Sequence, residues 1–391
     1  MISINKGGMW DWRFSYSSLL ATISLGAAIM SLPLAYRSER MYARMTRLPI
    51  LADSTLLPSL SIIIPVRNEA ENLPRLLQSL AAVCYAGSLE IVVVDDNSSD
   101  ETASIAEAYG ATVVRLTELP AGWQGKPYAC HRGVGIARGE WLLFTDADTI
   151  HIAVGPASAV TYAIQHKLDG LSAFLGQQTK GWWDQSAILS AFVGLFAGLH
   201  GLEGMMNGQY ILLRRDVYET SGGFVAVQHE PLEDLALGHH LHQLGYRVPI
   251  LRGETVATVH MYDNFPHMWR GLNRLGAGAI RWQGTGALVT VLFTTLAALP
   301  ILLSPFLWLR GFVEIRDRRL GLRKWLYLPA LLSLLSWLVT AIGFIPAARR
   351  LEHGQWALLG PLGACFVQTG GTWGLLCRLS GRGIDWKDRK V

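Results

Sequence analysis

Trp141-Leu142-Leu143-Phe144-Thr145-Asp146-Ala147-Asp148 runs an apolar strand directly into two carboxylates set two residues apart. In an extended segment residues i and i+2 point the same way, so Asp146 and Asp148 are expected to face one ligand while Ala147 keeps the turn small. Two clustered carboxylates repel unless a cation sits between them, and hard oxygen donors suit Mg²⁺ or Mn²⁺ bridging to a diphosphate. The same tripeptide also closes strands as an Asx turn, and taken alone it does not choose between the two readings.

The neighbouring sequence supplies the rest of a sheet. Leu60-Ser61-Ile62-Ile63-Ile64-Pro65 is an apolar run of the kind found in buried strands. After Val66-Arg67-Asn68-Glu69, Leu73, Leu76, Leu77 and Leu80 recur at helical spacing. Leu89-Glu90-Ile91-Val92-Val93-Val94 reads as a second strand, and it ends in the acidic turn Asp95-Asp96-Asn97-Ser98-Ser99-Asp100-Glu101-Thr102. There Ser99 or Asp100 can cap the following helix. Asp96 sits at the strand's carboxyl end, where open α/β sheets bind ligands. With a third strand over 112–116, the β-α-β-α-β alternation predicts an α/β fold: a mostly parallel, Rossmann-like sheet with helices on both faces.

Composition places much of the 391-residue chain near lipid: 50% of its residues are hydrophobic and 16% are charged. Four windows, 14–36, 288–309, 326–348 and 354–377, carry no Asp, Glu, Lys or Arg. Each is long enough to cross a hydrocarbon core of roughly 30 Å as a helix. Trp10, Trp12, Tyr36, Trp308, Trp325, Tyr327, Trp356 and Trp373 stand near their ends, as in an aromatic belt. Leu32-Pro33-Leu34-Ala35 is a poor cleavage site, so 14–36 reads as an anchor rather than a removed signal. Arg37, Arg40, Arg44 and Arg47 follow it and favour a cytoplasmic side for the domain beyond. The basic segment 310–324 would then fall outside by simple alternation. Window 288–309, interrupted by Pro300 and Pro305, is therefore expected to enter and return on one face.

The expected organisation is an anchor at 14–36, a working domain at 58–285, a membrane domain of about three segments at 288–377 and a basic cytoplasmic tail at 378–391. A further apolar run, 187–202, is read as core or as a membrane-facing surface of the working domain, with Trp182 and Trp183 at the interface. A span there would put Asp148 and Asp234 on opposite sides of the membrane. Cys84, Cys130, Cys365 and Cys377 show no metal spacing and fit a reducing compartment. A net charge of +4 without a basic and aromatic stripe excludes a nucleic-acid partner. His239, His240 and His242 lie amid Leu237, Leu241 and Leu244 without ligand-spaced partners, so packing and surface roles suffice for them.

Four motifs in order, Ile62-Ile63-Ile64-Pro65-Val66-Arg67-Asn68-Glu69, Val93-Val94-Asp95-Asp96-Asn97-Ser98-Ser99-Asp100, Thr145-Asp146-Ala147-Asp148 and Leu232-Glu233-Asp234, resemble the family 2 glycosyltransferases with a GT-A fold. The resemblance spans most of 58–285. Gly122-Trp123-Gln124-Gly125-Lys126-Pro127-Tyr128-Ala129, the stretch from Asn207 to Arg215, and Met261-Tyr262 are similar to the membrane-bound branch that glycosylates carotenoids and related lipids. So is the tail from Gly381 to Lys387.

That resemblance implies a site residue by residue. Pro65, Asn68 and Glu69 belong to the nucleotide-sugar motif, Asp96 would contact the uracil of a UDP-sugar, Asp146 would approach the ribose, and Asp148 would hold Mg²⁺ or Mn²⁺. Lys126 would supply a positive contact to phosphate, or else lie exposed. Asp234 takes the role of base, with Glu233 beside it tuning its pKa upward. The alternative for this pair is an acidic start to the helix over 235–244. Many membrane members carry Gln or Arg three residues before an Arg-Trp pair. Here Arg281-Trp282 is present but Gly278 stands in the first place, which argues against a processive polysaccharide synthase. The resemblance assigns Arg281 and Trp282 to the diphosphate or acceptor; the alternative for Arg281 is to mark the membrane boundary before Leu288.

The expectation is therefore a multi-pass protein of the cytoplasmic membrane with its catalytic domain in the cytoplasm. It would be a metal-dependent, inverting hexosyltransferase, moving glucose from a UDP-sugar to a hydroxyl of a carotenoid, hopanoid or glycerolipid. A polyprenyl-phosphate sugar synthase is the nearest alternative, and an inactive nucleotide-sugar or lipid binder the next.

Overall fold

The computed structural model describes residues 8–51, 56–230, 232–283, 285–316, 328–351, 354–382, 385–386 and 389–390. Helix α1 (Gly8–Ala43) precedes β1 (Leu60–Val66), α2 (Leu73–Ala81), β2 (Leu89–Asp96), α3 (Thr102–Ala108) and β3 (Thr112–Leu116). Then follow α4 (Gly125–Val134), β4 (Trp141–Thr145), β5 (Thr149–His151), α5 (Gly155–Gln165), β6 (Gly170–Phe174), β7 (Gly176–Gln177) and α6 (Trp182–Gly198). Beyond them come β8 (Tyr210–Arg214), α7 (Arg215–Thr220), α8 (Glu233–Gln243), β9 (Ile250–Arg252) and β10 (Ala257–Val259). The C-terminal part holds α9 (Phe265–Gln283), α10 (Thr285–Arg316), α11 (Leu328–Arg350), α12 (Gly360–Leu379), β11 (Asp385–Trp386) and β12 (Arg389–Lys390).

The chain divides into two compact units. One comprises residues 44–179, 201–263 and 385–391; the other comprises 1–43, 180–200 and 264–384. The first is built on a seven-stranded sheet of order β3-β2-β1-β4-β8-β6-β9. Strands β1 to β4 pair in parallel, as the alternation predicts, while β8 runs antiparallel between β4 and β6. Ile62, Ile63, Ile64, Val92, Val93, Leu142 and Leu143 are fully buried, the signature of strands covered on both faces. On α2, Leu73, Leu76, Leu77 and Leu80 form its buried stripe, each contributing about 1.5–3 kcal/mol of burial. A second sheet, β5-β10-β7, takes the strand that directly follows β4 in the chain and so bounds the turn after β4.

The other unit is helical. Ser17–Ala43, Thr285–Leu309 and Leu328–Arg350 are the helices, among the described residues, long and apolar enough to cross a membrane. Along α1, Ser17, Ser24, Ser31 and Ser38 recur every seven residues with Ala21, Ala28 and Ala35 between them, and all are buried. This seam of small side chains lets α1 pack closely against α10 and α11. Gly363 and Gly374 of α12 serve the same end: a Cβ on them would lie 1.8 Å from the carbonyl oxygen of Ser186 and 1.9 Å from that of Asn273.

Three expectations are corrected here. Window 354–377 is not one continuous helix: it divides into a 3₁₀ turn, Gly354–Leu359, and α12, whose Gly, Thr and Gln residues dilute its hydropathy, so it is not among the described helices long and apolar enough to cross a membrane. Window 288–309 does not turn back, because α10 continues through Pro300 and Pro305. Apolar helices carry such prolines more readily than water-exposed ones do. The run 187–202 does not belong to the core of the α/β unit. Its helix, α6, packs among α1, α10 and α12, because it is apolar around its whole circumference rather than along one stripe. Residues 264–285 likewise group with the helices. Residues 317–327, most of the basic 310–324 segment, lie outside the described residues, as do 383–384, 387–388 and 391 of the tail.

Candidate active site

The carboxyl ends of β1, β2 and β4 carry the chemistry-bearing residues. Ladder pairing of β1 with β4 stops at Ile63–Phe144. Pro65, which has no N–H to give, therefore stands beyond that ladder and over the turn that follows β4. The turns after β1 and β2 are fastened to each other. Asn68 and Asn97 adopt left-handed backbone, φ 51° and 56°, which Asn tolerates better than most residues. Arg67 donates to the carbonyl of Asp96 at 2.6 Å, and Asn68 Oδ1 accepts from the Ser99 amide at 2.8 Å. Glu69 Oε2 accepts from Asn72 at 3.0 Å. Asn68 and Glu69 thus shape the turn, and Asp96 is held nearly buried at the strand end.

The Asp146–Asp148 segment is a turn, not a continuation of the strand, so the expected alternation of an extended chain does not aim these carboxylates. β4 ends at Thr145, and the Asp146 carbonyl accepts from both the amide and the hydroxyl of Thr149, at 3.3 and 2.7 Å. The Thr145 hydroxyl lies 2.8 Å from that of Thr149, 3.1 Å from His151 Nε2 and 3.2 Å from the Gln209 carbonyl. Burial lowers His151 to about 4, which keeps its imidazole neutral as part of this scaffold. The His260 amide fixes the Asp148 carbonyl at 2.9 Å.

Lys126, the second residue of α4, joins the two halves of the site. Its Nζ lies 2.6 Å from Asp146 Oδ1, 3.5 Å from Glu233 Oε1 and 3.3 Å from the Gly208 carbonyl. These are three partners for three ammonium protons. Burial works against the charge, but Asp146, Glu233 and Asp234 outweigh it and push the lysine pKa up. Pro65, Cys130, Phe144, Thr145, Ile211 and Phe224 complete a cleft around this cluster. Burial also pushes the Cys130 thiol up, so it remains protonated.

Glu233 and Asp234 form the first turn of α8. Asp234 Oδ2 accepts from the Gly208 amide at 2.8 Å, and Oδ1 from the Leu235 amide at 2.9 Å. Burial raises the Asp234 carboxyl and Glu233 raises it further, against the opposing pull of Lys126 and the two amides. A carboxylate made more basic in this way suits proton abstraction near neutral pH.

Of the residues expected from sequence, Pro65, Lys126, Asp146, Glu233 and Asp234 line one cleft. Asn68, Glu69 and Asp96 lie on the adjoining turns rather than in that lining. Arg281 and Trp282 are on α9, but their side chains lie outside the described residues. His240 Nε2 sits 2.8 Å from the Ser221 carbonyl, in keeping with a packing role. Gly208, Thr145 and Cys130 are site residues that motif reading overlooked. Gly208 had a signal, since it lies within the 207–215 stretch, and a Cβ there would come within 2.9 Å of Lys126 Nζ.

Among the described residues no cluster of three or more His, Cys, Asp or Glu forms a cage for a metal. The donor chemistry still fits Mg²⁺ or Mn²⁺, which are often held by one or two carboxylates plus substrate phosphates. Asp146, Glu233 and Asp234 face the ammonium of Lys126, an excess of negative charge that a further cation would balance.

The model of the family described as Glycosyl transferase family 2 matches residues 61–220. The 4,4'-diaponeurosporenoate glycosyltransferase of Staphylococcus aureus strain MRSA252 is 30% identical over 259 residues, covering 62% of this chain and 68% of the relative. Its counterpart in strain bovine RF122 / ET3-1 is 31% identical over the same length, with the same shares covered. A mannosyltransferase from Pyrobaculum calidifontis, solved in complex with GDP-Man and Mn²⁺, aligns with TM-score 0.52 at 19% identity, covering 94% of this chain and 99% of its own. That likeness, with the sheet order above, assigns a GT-A-type fold, as the four motifs lead one to expect.

Proposed function

Because the chain belongs to glycosyl transferase family 2, we propose that it transfers a hexose, glucose in the first instance, from a UDP-sugar to a hydroxyl of a hydrophobic lipid at the membrane surface. The observation that carries this reading is the Lys126 bridge between Asp146 at 2.6 Å and Glu233 at 3.5 Å, which brings the donor motif and the base motif into one cleft. Asp96 and Asp146 would take the nucleoside, with Asn68 and Glu69 holding the turn in shape. Asp146 and Asp148 would hold Mg²⁺ or Mn²⁺, which when bound supplies charge stabilisation to the leaving diphosphate. Lys126 adds a positive contact to the same phosphates.

Asp234 is the base. Its Oδ2 removes the acceptor proton while the acceptor oxygen attacks the anomeric carbon from the face opposite the diphosphate. The C–O bond to the acceptor forms as the bond to diphosphate breaks, and this single displacement inverts the anomeric centre. The apolar helices Ser17–Ala43, Thr285–Leu309 and Leu328–Arg350 support a lipid-soluble acceptor. Arg37 and Arg40 near the end of α1, with Arg44 and Arg47 just after it, support a cytoplasmic site at the cytoplasmic membrane.

A second acceptor chemistry is favoured by the relatives' name, since diaponeurosporenoate ends in a carboxylate. A carboxylate acceptor arrives without a proton to remove. Lipid mass spectrometry of cells expressing the wild type or Asp234→Asn separates the readings. A hexoside, acetal-linked through the acceptor hydroxyl, that vanishes in the variant supports the hydroxyl reading, and a hexosyl ester that persists supports the carboxylate. A sugar-phosphate lipid would select the polyprenyl-phosphate alternative. No sugar-bearing product, together with no nucleotide release from UDP-glucose or GDP-mannose, would sink the enzyme reading.

A further inference from the structure

Lys126 occupies the cleft in a way that a simple phosphate contact does not require. Its Nζ has three oxygen partners: Asp146 Oδ1 at 2.6 Å, the Gly208 carbonyl at 3.3 Å and Glu233 Oε1 at 3.5 Å. Asp146 is also one of the two carboxylates assigned above to the metal. Gly208 makes room for the ammonium: a Cβ there would come within 2.9 Å of Nζ and 3.2 Å of Asp234 Oδ2.

We propose that Lys126 is the resident counter-cation of Asp146, competing with a divalent ion for it until a nucleoside diphosphate draws the ammonium away, so that metal and nucleotide enter as a pair. This rests on the reading of Asp146 and Asp148 as metal ligands. A divalent ion on Asp146 and an ammonium at 2.6 Å from the same oxygen would repel each other in a partly desolvated cleft. The lysine stem has four flexible carbons, so the head can leave without backbone movement. A diphosphate offers it charge-assisted acceptors in exchange for Asp146. Its departure also removes the tie between Asp146 and Glu233, which opens the cleft between the donor and base motifs. Linkage then requires each ligand to strengthen the other by the same factor. Lys126 is here a positioning residue for metal entry, in addition to any contact with phosphate.

The test is Mn²⁺ binding, read by the electron paramagnetic resonance signal of free Mn²⁺, to the full-length protein in detergent. Wild type, Lys126→Met and Lys126→Arg are compared alone, with UDP and with GDP, and thermal unfolding reports on folding of each. The wild type is expected to bind Mn²⁺ about 5–150-fold more tightly with one of the nucleotides than without. Lys126→Met should gain Mn²⁺ affinity in the absence of nucleotide by a factor in the same range, whereas Lys126→Arg should behave as the wild type. Equal Mn²⁺ affinity of the wild type with and without nucleotide overturns the proposal, and does so without any variant. So does a folded Lys126→Met that binds Mn²⁺ no better than Lys126→Arg. Sugar transfer is followed alongside. Absence of Mn²⁺ binding under all conditions, with transfer surviving EDTA, overturns the proposal and leaves the glycosyltransferase reading standing. The expected binding pattern without any transfer supports the lysine's role and removes that reading.

Discussion

In the α/β unit the sheet is filled by Ile62, Ile64, Leu143 and Tyr210, and partly buried charge gathers where Lys126 meets Asp146, Glu233 and Asp234. In the helical unit the seams belong to Ser24, Ala28, Ser31, Gly363 and Gly374, small residues that let backbones approach. The difference follows from the surroundings each unit must work in. A water-facing domain gains from burying large apolar side chains and tolerates buried charge where partners compensate it. Helices among lipid gain nothing from apolarity alone and are held by close packing and hydroxyl hydrogen bonds. Damage to the two units should therefore read out differently, in chemistry for one and in cohesion for the other.

The strongest test of that contrast is Asp234→Asn. With a hydroxyl acceptor kcat should fall by about 10²–10⁴-fold, while nucleotide affinity by calorimetry and the melting temperature stay near wild type; parallel loss of nucleotide binding would reassign Asp234 to structure. Gly208→Ala comes next, since its methyl would crowd Lys126 Nζ at 2.9 Å, and displacement on this scale lowers turnover by up to about 10²-fold. In the helical unit, Gly363→Ala places a methyl against the Ser186 carbonyl and should cost about 1–3 kcal/mol. It should show as a lower melting temperature with nucleotide affinity unchanged, and altered affinity would break the contrast.

A pH profile sharpens the picture within the cleft. Asp234 is held above the ordinary carboxylate value by burial and by Glu233, and only its ionised form can act as base. The acid limb of kcat should thus have its midpoint above about 3.9, activity being lost as pH falls through it. Glu233→Gln removes a neighbouring negative charge, so the midpoint should move down; movement upward would refute the assignment. The smallest effect is expected at Ser304→Ala, which deletes a hydroxyl lying 2.7 Å from that of Ser333. Inter-helical bonds of this type contribute about 0.6 kcal/mol, and denaturation in detergent should register a change of that size.

Much of the α/β unit was legible because its signals are local. The unbroken apolar runs around Ile62, Val93 and Leu143 announce strands covered on both faces, and the leucines of α2 announce their own buried stripe. The acidic ends at Asp96 and Asp146 mark the carboxyl edge of the sheet. Reading failed where a run is apolar without direction. The segment containing Ala187 and Phe192 has no stripe to say what it packs against, and it joins the helices rather than the sheet. The window containing Gly370 and Trp373 is long enough for a span, yet its polar and Gly residues lower its hydropathy. The serine repeat of α1 was present in the sequence, but a hydropathy window averages it away.

The sequence by itself determined that this chain alternates strands and helices, carries carboxylates at strand and helix ends, and contains long apolar helices. Those properties depend on residues one, two, four or seven positions apart. Only the tertiary structure decided that β8 inserts antiparallel beside β4, that Thr145 braces the turn through Gln209, and that Lys126 lies between Asp146 and Glu233. Residues 126, 146, 208 and 233 are far apart along the chain. Their meeting is set by strand order and loop closure, which no local periodicity encodes.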